Sequence, residues 1–429
     1  MKKLLQLTLL LLLPLVASFT HADIDLVIDK SGEDARLKLV MAPFEGDQRA
    51  RQMQTVIRDD LKRSGQFSFV ALPKTIYISP FGGSLNPQTL KPTGAEFLLR
   101  GKTVPIGQGF NLEVEIIDMN NGRKLTGFRT NYHQKQRRIA HQTADAIYKQ
   151  FTGVRGAFDT RIAYVASQGA GENRSFKLIV ADADGHDPQT LVTSHEPIMS
   201  TAWGPQARRI AYVSFESGRP AVFIQDVMTG ERRTVSARRG INGSPAWSKN
   251  GRQLALSLSV EGNPEIYILN LADGNLTRLT HSRAIDTEPS WTADGRSIVF
   301  TSDRGGNPQL YKISANANAG KPQRLTFEGK YNSAPSIQGQ KMAMIRQQGG
   351  KFQVALMDLT NRASEVISRG SLDESPSIAP NGGMVLYETR GIARKHVLAV
   401  ASGNGLEKSV LHSPYQNVGH PSWSPFLYH

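Results

Sequence analysis

The sequence predicts two domains, an N-terminal mixed α/β domain and a six-bladed β-propeller closed by the C-terminal strand. The first observation behind this prediction is a repeat of strand-rich units, each opening with a short run that ends in an apolar anchor. The anchors are 44, 44, 46, 41 and 45 residues apart, at Trp203, Trp247, Trp291, Ile337, Ile378 and Trp423. A fixed period of this length, with four short strands per unit, is typical of propeller blades.

The second observation is that the repeat is incomplete at both ends. From Phe158 the chain supplies three strands, RIAYVAS, FKLIVAD and TLVTS, with no inner strand before them. The terminal HPSWSP is an inner strand with nothing after it. We therefore expect the last strand to complete the first blade, which leaves six blades and no open sheet edge at the seam.

Turn and strand residues recur at matching places in the units. Asp273-Gly274, Asp294-Gly295 and Asn250-Gly251 supply the positive φ that tight hairpin turns need. The four tryptophans are interpreted as core residues between blades rather than as ligands. Five prolines are expected to precede inner strands, where no central ladder donor is lost: Pro245, Pro289, Pro335, Pro376 and Pro421.

Residues 1–22 have the pattern of a secretory signal peptide. Two lysines precede an apolar run over residues 4–16, which is too short to span a bilayer comfortably. Small residues at Thr20 and Ala22 predict cleavage after Ala22, and no cysteine follows that could carry a lipid. We therefore expect an exported, soluble protein without direct insertion into a membrane.

Residues 23–153 are expected to form the α/β domain, and residues 154–429 the propeller. Asp47 is a residue type that caps helix N-termini, and Asn-Gly pairs favour hairpin turns. The predicted elements are a strand at 36–44, a helix from Asp47 to about Arg63, a strand at 67–72, a strand pair turned at Asn121-Gly122, and a helix over 136–151. TGVRG at 152–156 is the predicted linker.

Composition excludes several classes of function. Removal of the two lysines in the signal peptide leaves 49 basic and 37 acidic residues, a net charge of +12. The basic residues are dispersed, which favours a solvated surface biased towards an acidic partner over nucleic-acid binding. The absence of cysteine excludes disulfides, Cys-ligated metals and thiol catalysis.

No motif points to an active site. The sequence has no Gly-x-Ser-x-Gly elbow, no HExxH and no phosphate-binding glycine-rich loop. Its histidines are scattered without metal-ligand spacing. Turn and ladder roles explain Asp303, Asp286 and Glu288 more simply than acid–base chemistry does. We therefore expect a protein that is not an enzyme, with no catalytic residue, cofactor or metal.

What remains is a binding surface. The segments that enter the inner strands of a propeller gather around one mouth of its channel, on a rigid scaffold. The residues alone leave open whether this polar ring binds a partner or is a solvated rim. The candidates are Ser200, Thr201, Asn242, Ser244, Asp286, Thr287, Glu288, Asn332, Asp373, Glu374 and His420.

The segment after the predicted cleavage site alternates between acidic and apolar residues. It predicts a short strand at a free end, which could dock on its own domain or add to the sheet of a partner. The pattern leaves both alternatives open. The residues concerned are Asp23, Ile24, Asp25, Leu26, Val27, Ile28 and Asp29.

Several runs of this sequence resemble the TolB family of periplasmic propeller proteins. These runs are more specific than the general Trp-Ser-Pro-Asp-Gly blade motif, and the resemblance covers essentially the whole chain. They are RGAFDTRIAYV (155–165), YVSFESGRP (212–220), TEPSW (287–291), FTSDRGGNPQLYK (300–312), LDESPSIAPNG (372–382) and the terminal PSWSP.

The resemblance implies a non-enzymatic, periplasmic member of the Tol–Pal system, expected to be a monomer. Such proteins bind the Pal lipoprotein across one propeller face and TolA through the N-terminal segment, and support outer-membrane integrity and constriction at cell division. Colicins use the same propeller face. Carried over, residues 23–30 would face TolA, and Ser244, Thr287 and Glu288 would lie in the Pal-binding ring. This sequence has Ile241 where the family commonly has His.

Two other functions fit the blade repeat less well. A prolyl-peptidase-type enzyme would need a separate hydrolase domain with its own Ser, Asp and His, and the predicted α/β domain at 23–153 has only 131 residues. A carbohydrate- or peptidoglycan-binding propeller would predict aromatic platforms at the channel mouth. The segments that enter the inner strands here carry Ser, Thr, Asn, Asp and Glu instead.

Overall fold

The structure is a computed structural model that describes residues 36–107, 109–130, 135–316, 320–391 and 394–427. The predicted signal peptide and the acidic–apolar segment at 23–30 lie outside these residues. Within the described part of the chain, one five-stranded sheet is followed by six four-stranded sheets. The predicted fold class, an α/β domain followed by a six-bladed propeller, is confirmed.

The N-terminal domain is a mixed sheet with two helices. Its strands are ordered β2-β1-β3-β4-β5, with β1 parallel to both of its neighbours and the remaining pairs antiparallel. The elements are β1 (Leu37–Met41), α1 (Gln48–Arg63), β2 (Phe67–Val70), β3 (Phe97–Ile106), β4 (Gly109–Asp118), β5 (Lys124–Arg129) and α2 (Gln136–Thr152).

Local sequence signals explain where these helices begin and end. The Asp47 side chain accepts a hydrogen bond from the backbone N–H of Arg49 and caps α1. Gly153 ends α2 with φ of 72°, a backbone conformation that glycine adopts without strain. The predicted linker, 152–156, therefore begins at the last residue of α2 and includes the capping glycine.

Five blades follow the chain order from the inside outwards, and blade 1 lacks its inner strand until the end of the chain. Blade 1 contains β6 (Arg161–Gln168), β7 (Ser175–Asp182) and β8 (Gln189–Ser194). Blade 2 contains β9 (Ile198–Trp203), β10 (Arg209–Ser214), β11 (Ala221–Asp226) and β12 (Arg232–Ser236). Blade 3 contains β13 (Asn242–Trp247), β14 (Gln253–Leu258), β15 (Glu265–Asn270) and β16 (Leu276–Arg278).

The remaining blades repeat this arrangement. Blade 4 contains β17 (Asp286–Trp291), β18 (Ser297–Ser302), β19 (Gln309–Ser314) and β20 (Gln323–Arg324). Blade 5 contains β21 (Asn332–Gln338), β22 (Lys341–Gln348), β23 (Lys351–Asp358) and β24 (Ser364–Val366). Blade 6 contains β25 (Glu374–Ile378), β26 (Met384–Arg390), β27 (His396–Ser402) and β28 (Lys408–Val410).

The C-terminal strand closes the ring as the sequence predicts. β29 (Val418–Trp423) pairs antiparallel with β6, so that Trp423 lies opposite Ile162 and Val418 opposite Ala166. Each of the six inner strands then contacts the inner strands of both neighbouring blades. No sheet edge is left open at the seam between the two ends of the propeller.

Three of the four tryptophan anchors use their indole N–H in a hydrogen bond, and that of Trp203 is buried without one among the described residues. The indole N–H of Trp247 donates to the backbone oxygen of Ala202 at 3.1 Å, and that of Trp291 donates to Ala246 at 3.1 Å. Trp423 donates to the Thr160 hydroxyl at 2.8 Å. These three tryptophans are therefore packing residues with a satisfied polar atom, as interpreted from the sequence.

The two domains share one hydrophobic core, which the repeat pattern did not predict. Residues of α1 and α2 cluster with apolar residues of blades 1 and 6. The ring of Tyr148 on α2 meets Phe158 edge-on, with centroids 5.8 Å apart. Two asparagine side chains of blade 6 add hydrogen bonds to this contact. The amide of Asn404 donates to the backbone oxygen of Gly65 in the N-terminal domain at 2.9 Å, and that of Asn381 donates to the backbone oxygen of Arg155 in the linker at 3.1 Å.

Candidate binding face at the mouth of the propeller

Every inner strand carries a bulge with one residue at positive φ. These residues have φ between 48° and 54°, a region uncommon for residues other than glycine. At each bulge the register between the inner strand and its partner strand shifts. The six residues are Ser200, Ser244, Glu288, Ala334, Ser375 and His420.

The five prolines follow the positive-φ residues directly. The sequence placed them before the inner strands, but the structure places them within those strands, as Pro245 in β13 and Pro289 in β17 show. A bulge interrupts the ladder, so a residue without an N–H is tolerated there. Blade 2 has Thr201 at this position, and its hydroxyl donates to the His420 backbone oxygen at 2.7 Å.

Four of the eleven candidate ring residues are buried inside their own blades. Each lies two residues before the positive-φ residue of its strand, at the point where the chain enters the blade. Asp286, for example, accepts a bond from Arg304 at 2.6 Å, and burial raises the pKa of its carboxyl against the opposing bonds from Ser302 and Arg304. The four are Asn242, Asp286, Asn332 and Asp373.

These buried side chains anchor the incoming loop rather than face solvent. Asn242 shows the role most fully, because its amide accepts from the Ser236 hydroxyl at 2.6 Å and donates to the backbone oxygen of Arg238 at 2.7 Å. Seven candidates remain at least partly accessible at the mouth. They are Ser200, Thr201, Ser244, Thr287, Glu288, Glu374 and His420.

Glu288 has a second role that the sequence did not reveal. Its Oε2 accepts from the Thr301 hydroxyl of its own blade at 2.7 Å and from the backbone N–H of Ala334 in blade 5 at 2.9 Å. Related contacts occur at two other seams. The Ser257 hydroxyl accepts the N–H of Glu288 at 3.2 Å, and Glu388 accepts the N–H of His420 at 3.0 Å.

Apolar side chains surround the polar ring on the side of blades 3 to 5. Ile241 and Ile285, which directly precede β13 and β17, are 47% and 50% exposed. Val260, in the loop between β14 and β15, is 41% exposed, and Phe327, in the loop before β21, is 65% exposed. Because Asn242 pairs with Leu258 and Asp286 with Ser302, these loops lie at the same end of their blades.

We call this end of the propeller, with the seven accessible ring residues and these four apolar ones, the mouth face. The repeat pattern did not indicate its apolar part. The available signal was an isoleucine directly before a polar residue that opens an inner strand, as in Ile241-Asn242 and Ile285-Asp286. Exposed apolar side chains beside polar ones are the usual composition of a protein-binding surface.

A second concave region lies between α2 and blade 1. It is a cavity of about 560 Å³ lined by side chains of both domains, including Arg138, His141 and Arg161. His141 is buried there, and its Nδ1 lies 2.6 Å from a carboxylate oxygen of Asp60 on α1. Burial alone would lower the pKa of His141, but the charge and hydrogen bond of Asp60 and the charge of Asp184 raise it to about 9.

Two family models together match most of the chain. Residues 24–125 match the TolB amino-terminal domain, and residues 148–427 match the TolB beta propeller domain. This chain belongs to the TolB family. The family assignment agrees with the observed order of an α/β domain followed by a six-bladed propeller.

Relatives from two Xanthomonas species match the chain over nearly its whole length. The Tol-Pal system protein TolB of Xanthomonas campestris pv. campestris (strain B100) is 46% identical over 425 residues, 97% of this chain and 96% of that protein. TolB of Xanthomonas oryzae pv. oryzae (strain PXO99A) has the same identity and coverage. The crystal structure of TolB from Acinetobacter baumannii matches with a TM-score of 0.83 at 34% identity, covering 91% of this chain and 97% of that one.

Proposed function

We propose that this chain is a non-enzymatic periplasmic scaffold of the Tol–Pal system that binds the Pal lipoprotein through the mouth face. In this role it supports outer-membrane integrity and constriction at cell division. The observation that carries the proposal is the end-to-end similarity to Tol-Pal system proteins, 46% identity over 97% of the chain. Among the described residues, no helix is long and apolar enough to cross a membrane.

The chemistry of the mouth face supports a folded protein as the partner. Partly exposed Ser244 and Thr287 can exchange hydrogen bonds with a partner, while Ile285 and Phe327 offer apolar area that a partner would bury. Desolvated apolar and aromatic anchors supply most of the affinity in such interfaces, and the polar residues set the register. Colicins are proposed to reach the same face.

Ile241 makes the mouth face of this chain more apolar at one position. The resemblance to the family implies a histidine at this position, and this chain has an exposed apolar side chain there instead. Its backbone N–H is bound to the Ser259 hydroxyl at 2.7 Å, which fixes the loop although the side chain is free. We propose that Ile241 contributes burial of apolar area to partner binding.

The TolA contact is assigned to residues 23–30, which lie outside the described residues. Their alternation of acidic and apolar residues suits addition of a strand to a partner's sheet. We further propose that this segment exchanges between a state docked on the body and a free state. A ligand at the mouth face that prefers one of the two states would shift the population towards it.

The test of the Pal assignment compares two exposed apolar residues on opposite ends of the propeller. Ile285→Arg places a charge on the mouth face, and Met228→Arg places the same charge in the turn between β11 and β12, where Met228 is 76% exposed. With purified Pal and surface plasmon resonance, we expect Ile285→Arg to weaken binding at least about tenfold, a cost of about 1.4 kcal/mol.

Met228→Arg is expected to bind Pal like the unaltered chain. Equal binding of Pal by both variants would remove the mouth face from the interface. No binding of Pal by the unaltered chain would overturn the proposed function as a whole. Circular dichroism on both variants establishes that the propeller is folded before the affinities are compared.

A further inference from the structure

Three side chains that can bind a metal ion lie on one face of blade 6. Glu374 on β25 is paired with Glu388 on β26, and Glu388 is in turn paired with Leu398 on β27. His396 lies two residues before Leu398 and therefore points to the same face of the sheet. The two carboxylates and the imidazole thus cross three adjacent strands as neighbours.

The atoms of this cluster are placed as ligands would be. One ligand atom from each of Glu374, Glu388 and His396 lies within 4.8 Å of the others. The Nδ1 of His396 is in hydrogen-bond contact with Oε1 of Glu388, while Oε2 of Glu388 accepts the backbone N–H of His420 at 3.0 Å. Glu388 is therefore held in position from both sides.

Glu374 completes the cluster from the solvent side. It is exposed, and within the described part of the chain its carboxylate makes no hydrogen bond or ion pair. An ion could therefore enter past Glu374 without displacing a protein contact. The one contact that a bound ion would replace is that between Glu388 and His396.

A second group of this kind in the structure shows what a purely structural cluster looks like. Asp60, His141 and Asp184 also bring three ligand atoms together, but all three are buried. Arginines already neutralise them, because Arg63 lies 3.2 Å from Asp60 and Arg137 is in contact with Asp184. No arginine or lysine within the described residues forms a salt bridge with Glu374 or Glu388.

We propose that Glu374, Glu388 and His396 form a binding site for a divalent transition-metal ion of the zinc type at the seam between blades 6 and 1. Zinc accepts imidazole nitrogen and carboxylate oxygen at about 2.0–2.2 Å, and sites with three protein ligands keep a fourth position for water. Neighbouring ligands of a tetrahedral ion are about 3.4 Å apart, so small rotations within the observed cluster suffice. Calcium and magnesium prefer oxygen ligands alone, and the imidazole argues against them.

The ion would stabilise the closure of the propeller. It would join three strands of blade 6, and Glu388 would pass this rigidity to the backbone of His420 on the closing strand. The inference does not depend on Pal or TolA binding, so it stands or falls separately from the proposed function.

The experiment is a calorimetric titration of the full mature chain, without an affinity tag, with zinc chloride and in parallel with magnesium chloride. We expect one zinc ion per chain and no binding of magnesium. His396→Gln and Glu374→Gln should each weaken zinc binding at least about tenfold, the effect expected when a metal ligand or its close support is lost. Zinc should also raise the Tm of the unaltered chain and leave that of His396→Gln unchanged.

His195→Gln is the matched control, because His195 is an exposed histidine in blade 1 next to β8. It should bind zinc like the unaltered chain. Zinc binding that is absent, or that persists at full strength in both His396→Gln and Glu374→Gln, would overturn the proposal. Because Glu374 is exposed and makes no contact that folding needs, its variant remains informative even if His396→Gln fails to fold.

Discussion

The carboxylate of Glu288 accepts the backbone N–H of Ala334 at 2.9 Å, across the seam between blades 4 and 5. Both residues sit at the positive-φ position of their inner strands, so the bond connects two bulges. The sequence suggested Glu288 as a partner-binding residue, and the structure adds a structural role at the same carboxylate. Changing Glu288 will therefore alter both the seam and the mouth face.

Because of its bonds across the seam, we expect Glu288 to contribute to the stability of the propeller. Glu288→Ala removes the acceptor of both the Thr301 hydroxyl and the Ala334 N–H, and the partly buried donors are left without it. We expect a loss of about 1–3 kcal/mol in the free energy of unfolding, measured by urea denaturation. Glu365→Ala, an exposed glutamate on the outermost strand of blade 5, should change stability by less than about 0.5 kcal/mol. Equal losses in both variants would contradict the seam role.

The closing strand β29 contributes more to the stability of the propeller than the Glu288 bonds do. Trp423 is buried, and its indole N–H is bound to Thr160 at the start of blade 1. Trp423→Ala leaves a cavity and removes one hydrogen bond to the Thr160 hydroxyl, for which we expect a loss of about 3–5 kcal/mol in the free energy of unfolding. Truncation before Pro421 should open blade 1 more severely. A thermal melting curve of the truncated chain that matched the full-length one would refute closure by β29.

His141 predicts how stability depends on pH. Its pKa is raised from 6.5 to about 9 by Asp60 and Asp184, so the folded state holds a proton that the unfolded state releases. The resulting stabilisation is fully present below pH 6.5 and is lost as pH rises through about 9. Unfolding free energies from urea titrations should fall by on the order of 1–3 kcal/mol over this window.

The control for the pH dependence between 6.5 and 9 is a variant of another histidine. His141→Gln should remove most of the slope between pH 6.5 and 9, whereas His195→Gln should keep it. Asp145 changes stability at lower pH. Because burial raises its pKa from 3.8 to about 7, its contribution to the free energy of unfolding falls between these two pH values and is constant above about pH 7. An unchanged slope in His141→Gln would show that other groups carry the pH dependence.

The repeat explains why the propeller was predictable and the mouth face only in part. Anchors such as Trp291 recur at a fixed spacing, and an unpaired strand at each end leaves closure as the simplest arrangement. By contrast, Asn242 and Ser244 are both small polar residues of one strand, yet only Asn242 is buried. Ser244 lies in the bulge and Asn242 before it, so the bulge decides which side chain turns inwards, and the repeat pattern carries no local signal for it.

The contact between the two helices of the N-terminal domain was equally beyond the sequence pattern. Asp60 and His141 are 81 residues apart in the chain, and each lies on a helix with many other polar residues. Only the packing of α1 against α2 brings them together. Periodicity predicts which helix face is buried, but it does not say which other element covers that face.

Deletion of residues 23–30 tests the proposed coupling between the N-terminal segment and the mouth face. If docking of the segment and binding of Pal are linked, removal of the segment must change the Kd for Pal, although the mouth face itself is untouched. Calorimetry with purified Pal measures this change. The matched control replaces Asp23, Asp25 and Asp29 by Asn and keeps the length of the segment. An unchanged Kd in the deletion variant would remove the coupling from the proposal.

The linker between the domains leaves no room for a larger residue at Gly156. A Cβ atom there would lie 2.4 Å from a carboxylate oxygen of Asp145 and 2.7 Å from its Cα atom. The same carboxylate accepts the backbone N–H of Phe158 at 2.8 Å, which holds the start of blade 1 against α2. Gly156→Ala must push the linker away from α2, and we expect it to cost about 1–3 kcal/mol in thermal or urea unfolding. Val154→Ala is the control, because it changes an exposed side chain of the same linker and should leave stability nearly unchanged. A similar loss in both variants would mean that the linker tolerates no change at all, and the close contact of Gly156 with Asp145 would not be the cause.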